Sequence, residues 1–218
     1  MNRQEIKKEA WEKIKGNKWN IWWPMLIICF VEGVISSIVS PEASVNVMNF
    51  QTFTISVNES MNPTQAIILL LAGIISGLFM AGYYKYIINF VRTGKFDSKD
   101  IIDTVKEKWV DILIAIVLAS IIIGLCTCLL VIPGIIMALA YSFVILLVVD
   151  TKTKGQDALK ASREMMKGYK WNYFVFMLSF IGWVILVVIT LGIASIWFVP
   201  YVTVAEVMYY DKLKKLKK

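Results

Sequence analysis

The hexapeptide KGNKWN (residues 15–20) returns almost unchanged as KGYKWN (residues 167–172). Each copy follows a charged segment and precedes a long apolar run. The glycine of each copy, Gly16 or Gly168, can end a helix in the left-handed conformation, and the closing asparagine is a residue type that caps a helix start. The repeat therefore predicts the same bend at two places, from a charged surface helix into a membrane helix.

The composition favours a membrane protein. Hydrophobic residues make up 58% of the 218 residues, above the roughly 45–50% that is usual in soluble domains. Charged residues are 18% of the chain and fall in blocks between apolar runs. A helix needs about 20 apolar residues to cross the hydrocarbon core of a bilayer, and these runs reach about that length. The sequence therefore predicts an all-α integral membrane protein.

Six apolar runs predict six transmembrane helices, at residues 21–39, 66–84, 110–130, 135–149, 171–188 and 193–210. The third and fourth runs are separated only by VIPG (residues 131–134), and the fifth and sixth only by TLG (residues 190–192). Because Pro and Gly interrupt helices, these segments predict tight turns between antiparallel helices. The adjoining runs are short, so both turns are expected slightly below the outer membrane surface.

The distribution of Lys and Arg predicts the orientation. Apart from Lys85, which lies near the inner end of the second run, every basic residue precedes the first run or follows the second, fourth or sixth. Residues 40–65 contain no Lys or Arg. The positive-inside rule then predicts a single polytopic domain over residues 1–218 in a plasma membrane, with both termini cytoplasmic. Residues 40–65 form its outer loop and residues 211–218 a basic cytoplasmic tail.

Three charged segments carry apolar rows at helical spacing. The rows are Ile6, Ala10 and Ile14; Ile101, Val105 and Trp109; and Ala158, Ala161 and Met165. Each predicts a basic amphipathic helix that lies along the inner membrane surface. The chain is thus interpreted as three repeats of a cytoplasmic amphipathic helix and a transmembrane hairpin, at residues 1–91, 92–149 and 150–218. The alternative is that any interfacial helix attracts Lys, Trp and Gly at this point. The predicted interface anchors are Trp11, Lys18, Trp19, Lys108, Trp109, Lys170 and Trp171.

Several segments resemble a bacterial membrane protein family catalogued as domain of unknown function nine-seven-five. They include IKKEAWEKIKGNKW (residues 6–19), LVIPGIIMALAYSFVILLVVD (residues 130–150), FIGW (residues 180–183) and WFVPY (residues 197–201). The family is distantly similar to the membrane domain of some glycerophosphodiester phosphodiesterases. The resemblance implies a helical fold in a bacterial plasma membrane, and it implies no catalytic residues.

The sequence offers little support for catalysis. It contains no His, which excludes His-based triads and His metal sites, and no Gly-rich phosphate loop precedes a helix. Of the three cysteines, Cys126 and Cys128 are too few for a metal site, and Cys29 lies within the first run. We therefore expect a protein that is not an enzyme, with no catalytic, cofactor-binding or metal-binding residues.

Two acidic residues lie within the apolar runs and are the candidate functional residues. Glu32 lies about 16 Å into the first predicted span, near the bilayer middle, where a charge costs at least ~2.5 kcal/mol. It is interpreted either as a hydrogen-bonded packing residue or as a contact for a substrate or ion. Glu206 lies about one turn from the inner end of the sixth span, within reach of the headgroups.

Two function classes fit these features. The first is a lipid- or peptide-handling membrane protein, such as a transport accessory or a resistance or immunity factor. The second is a membrane scaffold or sensor that recruits partners through its basic surface helices. The net charge of +7 favours anionic membrane lipids as partners, together with a membrane protein partner. Nucleic acid is not expected, because the basic patches face a membrane.

Overall fold

The computed structural model describes residues 3–39, 63–151 and 153–217, which contain ten α-helices and no strand. The helices are α1 (Arg3–Lys15), α2 (Lys18–Val39), α3 (Pro63–Thr93), α4 (Lys99–Leu129), α5 (Val131–Tyr141), α6 (Val144–Asp150), α7 (Gly155–Met165), α8 (Lys170–Leu178), α9 (Ile181–Ile189) and α10 (Ser195–Leu216). The predicted outer loop at 40–65 lies outside the described residues, except for 63–65, which begin α3.

Four helical stretches are long and apolar enough to cross a membrane, by length and composition. They are Leu71–Thr93, Lys99–Cys128, Ile132–Asp150 and Lys170–Ile189. The prediction of an all-helical, membrane-type protein is therefore confirmed. The number of six spans, the three repeats and the location of the termini stay predictions.

The two copies of the hexapeptide do interrupt the helices, but only partly as predicted. α1 ends at Lys15 and α2 begins at Lys18, and the second copy lies between α7 and α8. Gly168 has a positive φ of 86°, as expected for a left-handed helix end, whereas Gly16 has none. Asn20 and Asn172 lie inside α2 and α8, so the prediction that they cap these helices is wrong.

No bend separates the second charged segment from the apolar run that follows it. Lys99–Leu129 is one continuous helix of 31 residues, so Trp109 lies within it and not at a junction. The segment VKEKWV (residues 105–110) contains neither Gly nor Pro, so nothing in it stops a helix. The helix is about 46 Å long, which exceeds the ~30 Å hydrocarbon core.

A short break is present at both places, but the predicted turn VIPG (residues 131–134) is wrong, because these four residues begin α5. The break between α4 and α5 is Leu130, whose backbone is extended, and Pro133 lies in the first turn of α5. Proline is tolerated there because the first N–H groups of a helix have no partner within the helix. Between α9 and α10 the chain reverses at residues 190–194, where Leu191 and Gly192 have φ values of 50° and 94°.

Buried residues concentrate at one end of the long helices, which we call the charged end. In α3 the exposed apolar residues, such as Ile67 and Phe79, precede the buried stretch from Ala81 to Phe90. In α10 the order is reversed, because Trp197 is 45% exposed and residues 201, 203–210 and 213 are buried. The opposite end of the molecule therefore presents apolar side chains outward, as lipid-facing helices do.

The apolar rows of the charged segments pack largely against protein. Ile6, Ala10 and Ile14 are at most 3% exposed, and their helix α1 packs on α10. Ala158 of α7 is also fully buried, and α7 packs on α4 and α6. The row of α1 is therefore not available to a membrane surface, contrary to the expectation from its amphipathic pattern.

The crossing of α3 and α4 depends on a glycine. A Cβ at Gly82 would lie 2.6 Å from the carbonyl oxygen of Ile101, which is closer than real Cβ atoms come. We expect Gly82→Ala to lower the free energy of unfolding by about 1–3 kcal/mol, because overpacking forces the helices apart. The measurement is the Tm in detergent.

Gly73→Ala is the matched control on the same helix, because nothing lies within 4 Å of the added Cβ. Its Tm should not fall. Equal losses of Tm in both variants would contradict the close approach at Gly82.

Candidate functional site

Long-range contacts bring the basic segments together at the charged end. Lys13 Nζ of α1 donates to the carbonyl oxygen of Val91 at 3.0 Å, and Lys212 Nζ of α10 donates to Glu9 at 3.1 Å. Lys217 Nζ donates to backbone oxygens at the end of α7. The N-terminal segment, the end of α3, the segment after α6 and the tail thus share one end of the bundle. On which side of the membrane this end lies stays a prediction.

The centre of the charged end is an ionic network around Asp150, which we call the Asp150 network. Arg92 of α3 donates to both oxygens of Asp150, at the end of α6, and to both oxygens of Asp211 of α10, with distances between 2.5 and 3.2 Å. The Asp150 side chain is 2% exposed and also accepts from Tyr210 Oη and Lys214 Nζ. Such a buried carboxylate is stable only because several charged and polar donors surround it.

Lys108 has a structural role that the prediction of an interface anchor missed. Its ammonium donates to the carbonyl oxygens of Val148, Val149 and Thr151 at 2.9, 3.4 and 2.7 Å. These are unsatisfied carbonyls at the C-terminal end of α6, where a cation is favourable. The ammonium of Lys108 therefore caps a helix.

The other predicted anchors divide into two groups. Trp19, Trp109 and Trp171 are 71%, 51% and 73% exposed, and Lys18 is also exposed; their role as interface anchors stays a prediction. Trp11 is 37% exposed and contacts other rings, with ring centroids 5.5 Å from Tyr201 and 6.4 Å from Trp183.

Lys7, one turn before Trp11, holds α1 on the joint between α8 and α9. Its ammonium donates to the carbonyl oxygen of Ser179 at 2.8 Å and lies 4.4 Å from the ring centre of Phe180. Partial burial lowers the pKa of Lys7, because desolvation disfavours the charged form.

Glu206 is the one predicted functional acid whose side chain the structure describes, and it is buried, not at the headgroups. Its two carboxylate oxygens accept hydrogen bonds from Tyr173 Oη and Tyr84 Oη, both at 2.8 Å. The site joins α10, α8 and α3 and is bordered by the rings of Phe143 and Tyr209, which pack on Tyr173. No local sequence pattern indicates this pairing, because Tyr84 and Tyr173 lie 122 and 33 residues from Glu206 in the chain.

Glu32 lies in α2, and its side chain lies outside the part that the structure describes. Both interpretations of Glu32, as a packing residue and as a substrate or ion contact, therefore stay predictions. The side chain of Cys29 also lies outside the described part.

Two clefts open at the charged end. The α1–α10 cleft, about 520 Å³, is lined mainly by α1, α3 and α10 and includes Arg92 and Asp211 of the Asp150 network. The α7–α8 cleft, about 480 Å³, is lined by Lys160, Arg163, Glu164, Lys167 and Lys170. It holds four cations against one acid. In the described part of the chain, no ion pair uses any of these four cations.

The described residues contain no candidate metal site, because no group of three or more His, Cys, Asp or Glu side chains lies close together among them. Cys126 and Cys128 are free thiols. The hydrogen bonds described above hold helices together, whereas the four cations of the α7–α8 cleft have no ion-pair partner among the described residues.

Comparison with known proteins identifies one family. The model of the family described as "Protein of unknown function (DUF975)" matches residues 1–133 and 126–217, nearly the whole chain. No curated protein and no solved structure matches the chain. The resemblance to the uncharacterised family is therefore confirmed, and the similarity to glycerophosphodiester phosphodiesterases is not shown.

The structure predicts that Glu206 is a hydrogen-bond acceptor for two buried hydroxyls. Glu206→Leu should lose about 1–3 kcal/mol of stability for each hydroxyl left without an acceptor, whereas Glu206→Gln, which keeps the shape and polarity, should lose much less. The measurement is thermal unfolding in detergent. Adding Tyr84→Phe and Tyr173→Phe to Glu206→Leu should restore part of the loss, because no unpaired hydroxyl remains. Equal stability of the Leu and Gln variants would contradict this role.

Proposed function

Because the chain belongs to the DUF975 family of proteins of unknown function, we propose its function from its own structure. It is a non-enzymatic membrane protein that binds anionic lipid headgroups at its charged end and handles lipid there. In this role it acts as a transport accessory or as a resistance or immunity factor in a bacterial plasma membrane. The charged end, with both termini, faces the cytoplasm, as the positive-inside rule requires.

The α7–α8 cleft carries this proposal. Lys160, Arg163 and Lys167 are exposed and Lys170 is partly exposed. Lys and Arg side chains attract anionic headgroups by about 1 kcal/mol each when they lie near the surface. A phosphate group needs two or more such donors, and this cleft offers four around a single opening.

The surroundings of the cleft favour a lipid over a soluble anion. Trp171 directly follows Lys170 and is 73% exposed, so an amphipathic ring lies next to the cleft. Ser162, between Lys160 and Arg163, donates to the carbonyl oxygen of Ala140 at 2.8 Å, so the cleft adjoins the apolar helix α5. A headgroup in the cleft would therefore have its acyl chains beside an apolar surface.

The scaffold or sensor alternative is less well supported. Recruitment through an amphipathic helix uses its apolar face. In α1 that face is buried against α10, and in α7 Ala158 and Leu159 are at most 6% exposed. What these helices present outward is charge, which fits phosphate better than an apolar groove.

The test is the binding of a fluorescent phosphatidylglycerol to the detergent-solubilised protein. Lys160→Gln, Arg163→Gln and Lys167→Gln together should raise the apparent Kd about fivefold or more, because three attractive charges are lost from the cleft. Added salt should weaken binding to the unchanged protein.

The matched control removes three exposed lysines elsewhere, with Lys95→Gln, Lys99→Gln and Lys106→Gln. It changes the net charge equally and should shift the Kd by less than about twofold, since these residues do not line the cleft. Equal effects of the two triple variants would contradict the cleft. An unchanged Kd in both triple variants would contradict lipid binding at the charged end and would favour the scaffold or sensor alternative.

A further inference from the structure

We propose that the α4–α5 and α9–α10 hairpins do not cross the membrane but enter one leaflet from the charged end and turn back near the bilayer midplane. Their binding partner is thus the acyl chains of a single leaflet. The inference goes beyond lipid headgroup binding and does not depend on it. It rests on the heights of the hairpins, the chemistry of their tips and the hydrogen bonding of their turns.

The height of the α4–α5 hairpin is fixed by α7. Ser162 Oγ of α7 donates to the carbonyl oxygen of Ala140, near the end of α5. Lys160 and Glu164, each two residues from Ser162, are exposed, so this level belongs to the headgroups or to water. The tip at Leu130 is only ten residues further along α5. At 1.5 Å per residue it reaches at most about 15 Å deeper, half of the ~30 Å hydrocarbon core.

The height of the α9–α10 hairpin is fixed by α1. Lys7 of α1 donates to the carbonyl oxygen of Ser179 at 2.8 Å and accepts from Tyr201 Oη, at its own carbonyl oxygen, at 3.3 Å. α1 exposes Glu5 and Glu12 as well as lysines, and short acidic side chains cannot extend from the hydrocarbon to water as lysines do.

From Ser179 to the tip at Leu191 there are twelve residues, and from Tyr201 back to the tip there are ten. These lengths correspond to at most about 18 and 15 Å. Neither arm reaches the far surface of a bilayer.

Both tips are apolar where a loop in water would be polar. Leu130 and Ile132 are 67% and 72% exposed, and Ile189, Leu191 and Ile193 are 72%, 89% and 64% exposed. Residues 121–139 and 180–200 contain no charged residue. Such tips would expose a large apolar patch to water on the far side, whereas acyl chains would cover it.

The turns meet the requirement that hydrocarbon places on backbone groups, which is internal hydrogen bonding. Leu130 N donates to Cys126 O at 3.1 Å, and Gly192 N donates to Val187 O at 2.8 Å. The hydroxyl of Thr190, at the start of the second turn, donates to Leu186 O and accepts from Ala194 N. Both of its partners are therefore backbone atoms of the same hairpin. The N–H groups of Leu130, Gly192 and Ala194 are therefore paired within the protein, as hydrocarbon requires.

The α2–α3 hairpin differs, because its first helix extends much further beyond the level that is fixed at the charged end. Tyr83 Oη donates to the carbonyl oxygen of Ile21 at 3.0 Å, which fixes the inner level of this pair. From Ile21 to the end of α2 at Val39 there are eighteen residues, or about 27 Å. The six crossings predicted from the sequence are thereby reduced to two, with both termini still on one side.

The test is the accessibility of single cysteines in the full chain, with Cys29, Cys126 and Cys128 replaced by Ala. Leu191→Cys and Ile132→Cys report the two tips, Ser98→Cys reports the charged end, and Ser56→Cys reports the predicted outer loop. We expect a membrane-impermeant maleimide to label Ser98→Cys in inside-out vesicles and Ser56→Cys in intact cells. Neither tip should be labelled from either side.

Nitroxide labels on both tip cysteines provide a second measurement in reconstituted vesicles. We expect both to be more accessible to oxygen than to a water-soluble nickel complex, with depths near the midplane. Labelling of a tip by the maleimide from either side, or a nitroxide depth at a headgroup region, would overturn the proposal for that hairpin. Each tip is tested by its own cysteine variant. If one variant fails to insert into the membrane, the other tip still tests the proposal.

Discussion

The rest of the described structure depends on the interactions of the Asp150 carboxylate. Its side chain is 2% exposed, yet it is surrounded by Arg92, Lys214 and the hydroxyl of Tyr210. A buried charge is costly unless its partners are in place, so α6, which carries Asp150, must meet the two helices that supply its partners, α3 and α10. The second polar contact, between Glu206, Tyr84 and Tyr173, adds α8 to the same set. Polar contacts at one end thus fix the relative positions of helices that are otherwise mostly apolar.

This arrangement divides the molecule into two regions with different solvents. At the charged end, aromatic and aliphatic side chains are buried beneath helices α1 and α7, whose charged faces point outward. At the other end, the apolar side chains of α3, α4, α5 and α9 are exposed and require lipid. The α7–α8 cleft opens at the charged end, where we propose that headgroups bind. Headgroup binding and shallow insertion of two hairpins follow from the same geometry, although either can be tested without the other.

The sequence alone predicts the class of protein, but it does not predict which surface covers the apolar face of each helix. Length and hydropathy identify membrane helices because the bilayer thickness is fixed, and the helix breaks at both hexapeptides follow from local backbone preferences. An apolar row such as Ile6, Ala10 and Ile14 shows only that something covers it, and either a membrane or α10 fits the pattern equally well. Lys108 likewise has the residue type and sequence position expected of an interface anchor. Only the position of the carbonyl oxygens at the end of α6 shows that it caps a helix. The partners of Glu206 lie 33 and 122 residues away in the chain, beyond any local pattern.

The central claim is that the Asp150 network holds the helices at the charged end, and a double-mutant cycle tests it most directly. Thermal unfolding in detergent would be compared for Arg92→Gln, Asp150→Asn and the double variant. The structure predicts that the two changes are coupled by about 1–3 kcal/mol, because either change alone removes the two hydrogen bonds that join the Arg92 guanidinium to the Asp150 carboxylate. Stability losses that add to within about 0.5 kcal/mol would show that the two residues act independently, and would contradict the claim.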